Sequence, residues 1–178
     1  MKTFGGTPYF LDKNDINTDE IIPAKYLTEI SKAALKPHLL EDLLIEGDKF
    51  DNQDPALRAA SVIVTRKNFG CGSSREHAVW AFEVNDISVI IAESFARIFR
   101  QNMFNCGILA IELEANSISE LFSLSSDATI SVDLENTMVI AQSPQLVGGE
   151  KQFHFTLNEF DKDLVKAGGW LSYADKKY

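Results

Sequence analysis

Through the middle of the chain, short apolar runs alternate with amphipathic stretches. "SVIVT" (61–65), "SVIIA" (88–92) and "ILAIEL" (108–113) are aliphatic runs of strand length. Between them lie two helical patterns, from Arg75 to about Asn85 and from Ser94 to Asn105, the second closed by Gly107. This order predicts a βαβαβ core, and so an α/β fold with a mostly parallel, buried central sheet and flanking helices.

The flanks are less regular. An apolar lead to about Gly6 runs into "YFLDKNDINTDEIIPAKYL", where Asp15, Asn17, Thr18 and Asp19 predict a turn before a strand-like Ile21-Ile22 that Pro23 ends. In "SKAALKPHLLEDLLIE" (31–46), Ala34, Leu35, His38, Leu39, Asp42 and Leu43 fall near helical spacing, and Pro37 moves the expected helix start to itself. "EGDKFDNQDPALRA" is polar and turn-prone. After the core, "NSISELFSL" predicts a short helix, "ATISVDLENTMVIAQ" two antiparallel strands joined around Glu135-Asn136, and "KQFHFTL" one more strand. A helix is expected from Asn158 to Lys166, stopped at Gly168-Gly169, with Trp170 and Leu171 packing back. No repeat or Pro/Gly-rich linker divides the chain, so one domain over 1–178 is expected.

Composition narrows the function. The net charge of −9 argues against nucleic acid or an anionic membrane as partner, since both need a clustered positive field, so any anion must be caught locally. No apolar run approaches the roughly 20 residues that span a bilayer. The start "MKTFGGTPYFLDKND" has no apolar signal segment, so a cytoplasmic protein is expected. Cys71 and Cys106 lack metal-binding spacing and are too few for an iron-sulfur cluster, so no cofactor or metal is expected on this chain.

The segment "NFGCGSSREHAVWAF" (68–82) admits two readings. Ser73 and Glu76 have the spacing of a capping box, with Gly70 and Gly72 as positive-φ positions and Cys71 as filler. Alternatively, a strand delivers a glycine-relieved turn to a helix start whose free N–H groups attract a carboxylate. Arg75 would then grip that carboxylate bidentately, and a deprotonated serine beside it would take a proton.

Four blocks, "DINTDEIIPAKYL" (15–27), "NFGCGSSREHAVWAF" (68–82), "SFARIFRQNMFNCGIL" (94–109) and the closing "AGGWL", follow one another over most of the chain. Together they resemble the small, swivelling domain of aconitase-type hydro-lyases, most closely the small-subunit branch of 3-isopropylmalate dehydratases. The resemblance implies a swivelling β/β/α domain of the aconitase C-terminal type. It also implies isomerisation of 2-isopropylmalate to 3-isopropylmalate by dehydration and rehydration, in leucine biosynthesis. Homoaconitase, methylmalate-type and broad-range hydro-lyases are the near alternatives; a non-catalytic binding or regulatory module is the alternative from another class.

Carried over by position, the resemblance makes Ser73 the catalytic base and places Gly72, Ser74 and Arg75 against a substrate carboxylate. Lys25, Tyr26, Leu27 and Thr28, in a mobile recognition loop of about 24–36, fall where the small subunit meets the variable side group of the substrate. Asp15, Thr18 and Asp19 match a D-x-x-T-D signature that shapes the loop leading to the site, and are expected to be structural. Aconitases proper carry a further substrate arginine near here; this chain has none between Met1 and Asp54, which points away from citrate.

The implied partners are a small hydroxy di- or tricarboxylic acid and a large subunit bearing a four-iron-four-sulfur cluster, in a heterodimer or heterotetramer. Alone, the chain is expected to be inactive, and its uncovered face leaves a homo-oligomer open. His77 is expected to pack or cap, Cys106 to pack, and Arg97 and Arg100 to be solvated or at an interface.

Overall fold

In the computed structural model, which describes residues 3–178, two short strands open the chain, β1 (Gly5–Gly6) and β2 (Pro8–Phe10), before the four-residue helix α1 (Thr18–Ile21). Turns of 3-10 helix at Ala24–Tyr26 and Lys32–His38 lead to a hairpin, β3 (Leu44–Ile45) and β4 (Asp48–Lys49), and then to α2 (Pro55–Ala59). The alternation expected from the apolar runs follows: β5 (Val62–Val64), α3 (Glu76–Glu83), β6 (Val89–Ala92), α4 (Arg97–Asn105) and β7 (Leu109–Glu112). Helix α5 (Ala115–Phe122), strands β8 (Thr129–Asp133), β9 (Met138–Gln142) and β10 (Glu150–His154), and helices α6 (Glu159–Ala167) and α7 (Trp170–Lys177) complete the order.

Strands β2, β5, β6 and β7 lie side by side in parallel, with Ile63 opposite Ile90 and Ile90 opposite Ala110. Every residue of β5 and β6 is buried, as a sheet covered on both faces requires. The stretch just after the apolar lead, β2, thus supplies an edge strand to the parallel sheet. A second, antiparallel sheet runs β1-β8-β9-β10 and contains the late hairpin and the strand expected from "KQFHFTL".

The helix expected from Pro37 onward does not form. Pro37 has no N–H, and the carbonyls a helix would use are taken by side chains. Arg58 Nη1 donates to Lys36 O at 2.8 Å, and Asn52 Nδ2 donates to Pro37 O and Leu39 O, each at 3.2 Å. Leu40 turns to positive φ and donates its N–H to Ile21 O at 2.8 Å, which docks the segment on the end of α1. Leu35, Leu39, Leu40 and Leu43 are all buried, so the apolar spacing marks burial rather than a continuous helix.

Two further departures concern α1 and α7. The expected turn at Asp15–Asp19 winds into α1, so the strand-like Ile21 becomes a buried helical residue. Past Gly168 and Gly169 the chain resumes as α7, which contacts α6 and α4, where only packing of Trp170 and Leu171 is expected from the sequence. Among the described residues no helix is long and apolar enough to cross a membrane.

Candidate active site

Strand β5 ends at buried Thr65, whose hydroxyl donates to Leu11 O at 3.0 Å, and the chain then crosses the end of the parallel sheet before α3. This crossing is anchored on aromatic packing. Phe69 is 1% exposed, with Phe82, Phe95 and Phe99 at ring-centroid distances of 5.8, 6.1 and 5.6 Å. Gly70 has φ +80, and a Cβ there would come within 2.3 Å of the Phe99 ring, so both conformation and space require glycine.

Backbone bonds fix the loop from both sides. Asn68 Nδ2 donates to Asp15 at 2.9 Å, Phe69 N to Ser94 O at 3.0 Å, and Gly70 N to Ile16 O at 2.8 Å. Next to these, Thr18 N donates to Cys71 O at 2.9 Å and Thr18 Oγ1 to Ser73 O at 2.8 Å. The expected structural part of Asp15 and Thr18 is seen in these contacts.

At the tip, Gly72, Ser73 and Ser74 are exposed, and among the described residues neither serine hydroxyl has a hydrogen-bond partner. The capping box expected between Ser73 and Glu76 is absent. Helix α3 begins at Glu76 with extended Arg75 as its N-cap and no side-chain cap bond. The reciprocal box lies instead at α1, where Glu20 N donates to Asn17 Oδ1 at 2.9 Å and Asn17 N to Glu20 Oε1 at 3.3 Å. Ser73 is thereby left outside the helix with its hydroxyl uncommitted.

Arg75 is mostly covered, and its Nη1 pairs with the carboxylate of exposed Asp19. A cleft of about 990 Å³ opens beside the loop, lined by Gly70, Gly72 and Ser74 on one wall and by α4 on another. Residues not singled out in the sequence complete it: Ile98, Gln101 and Asn102 from α4, Glu112 from β7, and Asn158 and Asp161 at the start of α6. Ile98, Gln101 and Asn102 lie in the quoted block 94–109 and Asn158 at an expected helix start, but the sequence marks none of them as part of a site. Arg97 sits exposed on the wall, while Arg100 lies near Glu112, 3.3 Å away, and over the Phe104 ring.

The residues assigned to the recognition loop do not line this cleft. Tyr26 stacks on His38 at 3.9 Å and donates to Glu41 at 3.0 Å, and exposed Lys25 lies 3.8 Å from the same carboxylate. Leu27 is half-buried and Thr28 exposed. His77 packs, as expected: its Nε2 bonds Glu29 O at 3.0 Å and its ring lies 4.5 Å from Trp80. Burial, then nearby Asp15, pushes the Cys71 thiol up, and burial with Glu83 and Glu76 pushes Cys106 up to about 12, so both are held as thiols.

The sequence profile of the aconitase C-terminal domain family matches residues 2–116. Relatives cover nearly the whole chain. One is the 3-isopropylmalate dehydratase small subunit of Bacillus cytotoxicus, 34% identical over 94% of this chain and 86% of its own length. Another is small subunit 2 of the same enzyme from Deinococcus radiodurans, 40% identical over 94% and 74%. The crystal structure of 3-isopropylmalate dehydratase (leuD) from Methanocaldococcus jannaschii superposes with a TM-score of 0.76 at 27% identity, over 99% of this chain and 95% of that one. The chain belongs to the 3-isopropylmalate dehydratase small-subunit family of aconitase-type proteins.

Proposed function

We propose that this chain is the proton-transferring small subunit of a 3-isopropylmalate dehydratase, working with a large subunit to isomerise 2-isopropylmalate to 3-isopropylmalate in leucine biosynthesis. The observation that carries this is the Ser73 hydroxyl, exposed and uncommitted on a loop pinned at Asn68, Gly70, Cys71 and Ser73.

A neutral serine is a weak base. Ser73 precedes Arg75 by two residues and the first residue of α3 by three, and a cation and a helix N-terminus close to it in the chain lower the cost of forming its alkoxide. That alkoxide takes the proton from the carbon next to a substrate carboxylate, and the hydroxyl of the neighbouring carbon departs with its electron pair as hydroxide, which an acid outside this chain protonates to water. Returning the proton and the hydroxyl to exchanged carbons gives the isomer. Ser74, Gly72 and Arg75 hold the carboxylate, and the segment 24–36 is the part that moves to meet the isopropyl group.

The residues of this chain do not fit an iron-sulfur cluster. The chain has only two cysteines, and among the described residues no group of three or more His, Cys, Asp or Glu is placed to hold a metal. The reading therefore assigns the cluster to the large subunit, where, when bound, it supplies Lewis-acid chemistry to the substrate oxygens.

The test is reconstitution with the large subunit from the same source under anaerobic conditions, following hydration of the unsaturated acids related to isopropylmalate, homocitrate and citrate. Activity that needs both chains and favours the isopropyl compound supports the reading. Preference for another acid moves the chain to a neighbouring hydro-lyase, and no activity from an intact complex on any of them points to another malate-type substrate or to a non-catalytic module.

A further inference from the structure

We infer that Asp19 is a positioning residue that orients Arg75 for the substrate carboxylate, an inference that rests on the function proposed above. The sequence treats Asp19 as part of a structural turn. The structure places it elsewhere, as the third of three clasps along residues 71–75. Thr18 N holds Cys71 O at 2.9 Å, Thr18 Oγ1 holds Ser73 O at 2.8 Å, and Asp19 holds Arg75. Two adjacent residues of α1 grip Cys71, Ser73 and Arg75 and leave the hydroxyls of Ser73 and Ser74 free.

The contact is specific in its geometry. Asp19 accepts from Nη1 of Arg75; among the described residues Nε and Nη2 donate to nothing. A guanidinium is a planar fork of five N–H donors, so a partner on Nη1 fixes the plane and leaves the Nε–Nη2 edge for a second, bidentate carboxylate. Asp19 is itself held in place, because its neighbours Asn17 and Glu20 close the capping box and Lys13 pairs with Glu20.

A role in stability does not explain the pair. The Asp19 side chain is 63% exposed, and an ion pair open to water on one side contributes little to folding. What it does constrain is the direction of Arg75, whose side chain is 17% exposed and has no other polar partner among the described residues. Alignment of a binding group acts on the affinity for substrate rather than on the fold.

The experiment uses the reconstituted two-subunit enzyme with 2-isopropylmalate, comparing Asp19→Ala and Asp19→Asn with the unaltered chain. Asp19→Ala is expected to raise KM about tenfold, the loss of a hydrogen bond to a charged group, with a smaller change in kcat. Asp19→Asn keeps an oxygen that accepts from Nη1 and is expected to recover most of that loss. Thermal unfolding of each chain and its association with the large subunit are expected to stay unchanged. An unchanged KM in Asp19→Ala overturns the inference, as does a fall in kcat that tracks weaker association or lower thermal stability. If the unaltered pair of subunits is inactive on every hydroxy acid, the proposed function fails and this inference falls with it. An active pair with a silent Asp19→Ala removes only the inference.

Discussion

Thr18, 1% exposed, donates its hydroxyl to the carbonyl of exposed Ser73 at 2.8 Å, so the most solvent-accessible part of the loop hangs from one of the least accessible side chains. Thr18→Val keeps the shape and deletes the bond. Deleting such a part-buried hydrogen bond costs about 1 kcal/mol, which urea unfolding of the isolated chain will read. The reconstituted enzyme is expected to lose turnover as well, because Ser73 no longer has a fixed carbonyl behind it.

Ser73→Ala separates catalysis from folding. Ser73 caps no helix and its hydroxyl has no partner among the described residues, so stability is expected to change by less than about 0.5 kcal/mol. Turnover by the assembled enzyme is expected to fall by at least about 100-fold, the lower range for a positioned proton-transfer group. Equal losses in both measurements would return Ser73 to a structural role.

Gly70→Ala tests the pinned turn. The position combines φ +80 with a Cβ site 2.3 Å from the Phe99 ring, so the variant must strain the backbone and displace an aromatic of the loop's footing. An expected cost of about 1 to 3 kcal/mol, measured by urea unfolding, follows from those two penalties. Gly47, with nothing within 4 Å of its Cβ site, is the comparison: its φ of +82 brings conformational strain without the clash.

The chain should lose stability in alkali partly through Cys106. Burial, with Glu83 and Glu76 nearby, raises that thiol from 9.0 to about 12 in the folded chain. Between those pH values the unfolded thiol has released its proton while the folded one keeps it. The unfolded state binds fewer protons, so unfolding becomes easier as pH rises through this window. Cys106→Ser does not titrate there, and its urea midpoint is expected to fall less between pH 8 and pH 10 than that of the unaltered chain.

Tyr26 holds its segment through its stack on His38 and its bonds to Glu41. Tyr26→Phe keeps the stack and deletes the bonds. Faster tryptic cleavage at Lys25 and Lys32 is the expected result, since local opening governs such cuts. An unchanged cleavage rate would show that Glu41 does not hold this segment.

The centre of the fold was readable from local pattern. Val62–Val64, Val89–Ala92 and Leu109–Glu112 are short, aliphatic and separated by helical stretches, and such runs have no stable place other than a covered parallel sheet. The serine-arginine loop was readable for the same reason, as glycines and hydroxyls between a strand and a helix. Where two local patterns compete, the sequence does not rank them. Ser73–Glu76 and Asn17–Glu20 both place a capping residue three before a glutamate, and only the second caps, because Arg75 leaves the loop extended and α3 starts beyond Ser73.

Long-range contacts settled the rest. Arg58 and Asn52 take the carbonyls of Lys36, Pro37 and Leu39 from a later segment, so a helical spacing of leucines became a 3-10 stretch and turns that lead to a hairpin. Asp19 and Arg75, 56 positions apart, are joined only once α1 docks on the loop. The sequence by itself determined the central strands β5, β6 and β7, the helices α3 and α4 between them and the loop that carries Ser73, because those follow from near-neighbour burial and turn chemistry. Which side chain holds Arg75 and which residues wall the cleft were decided only by the tertiary structure, because each depends on segments distant in the chain.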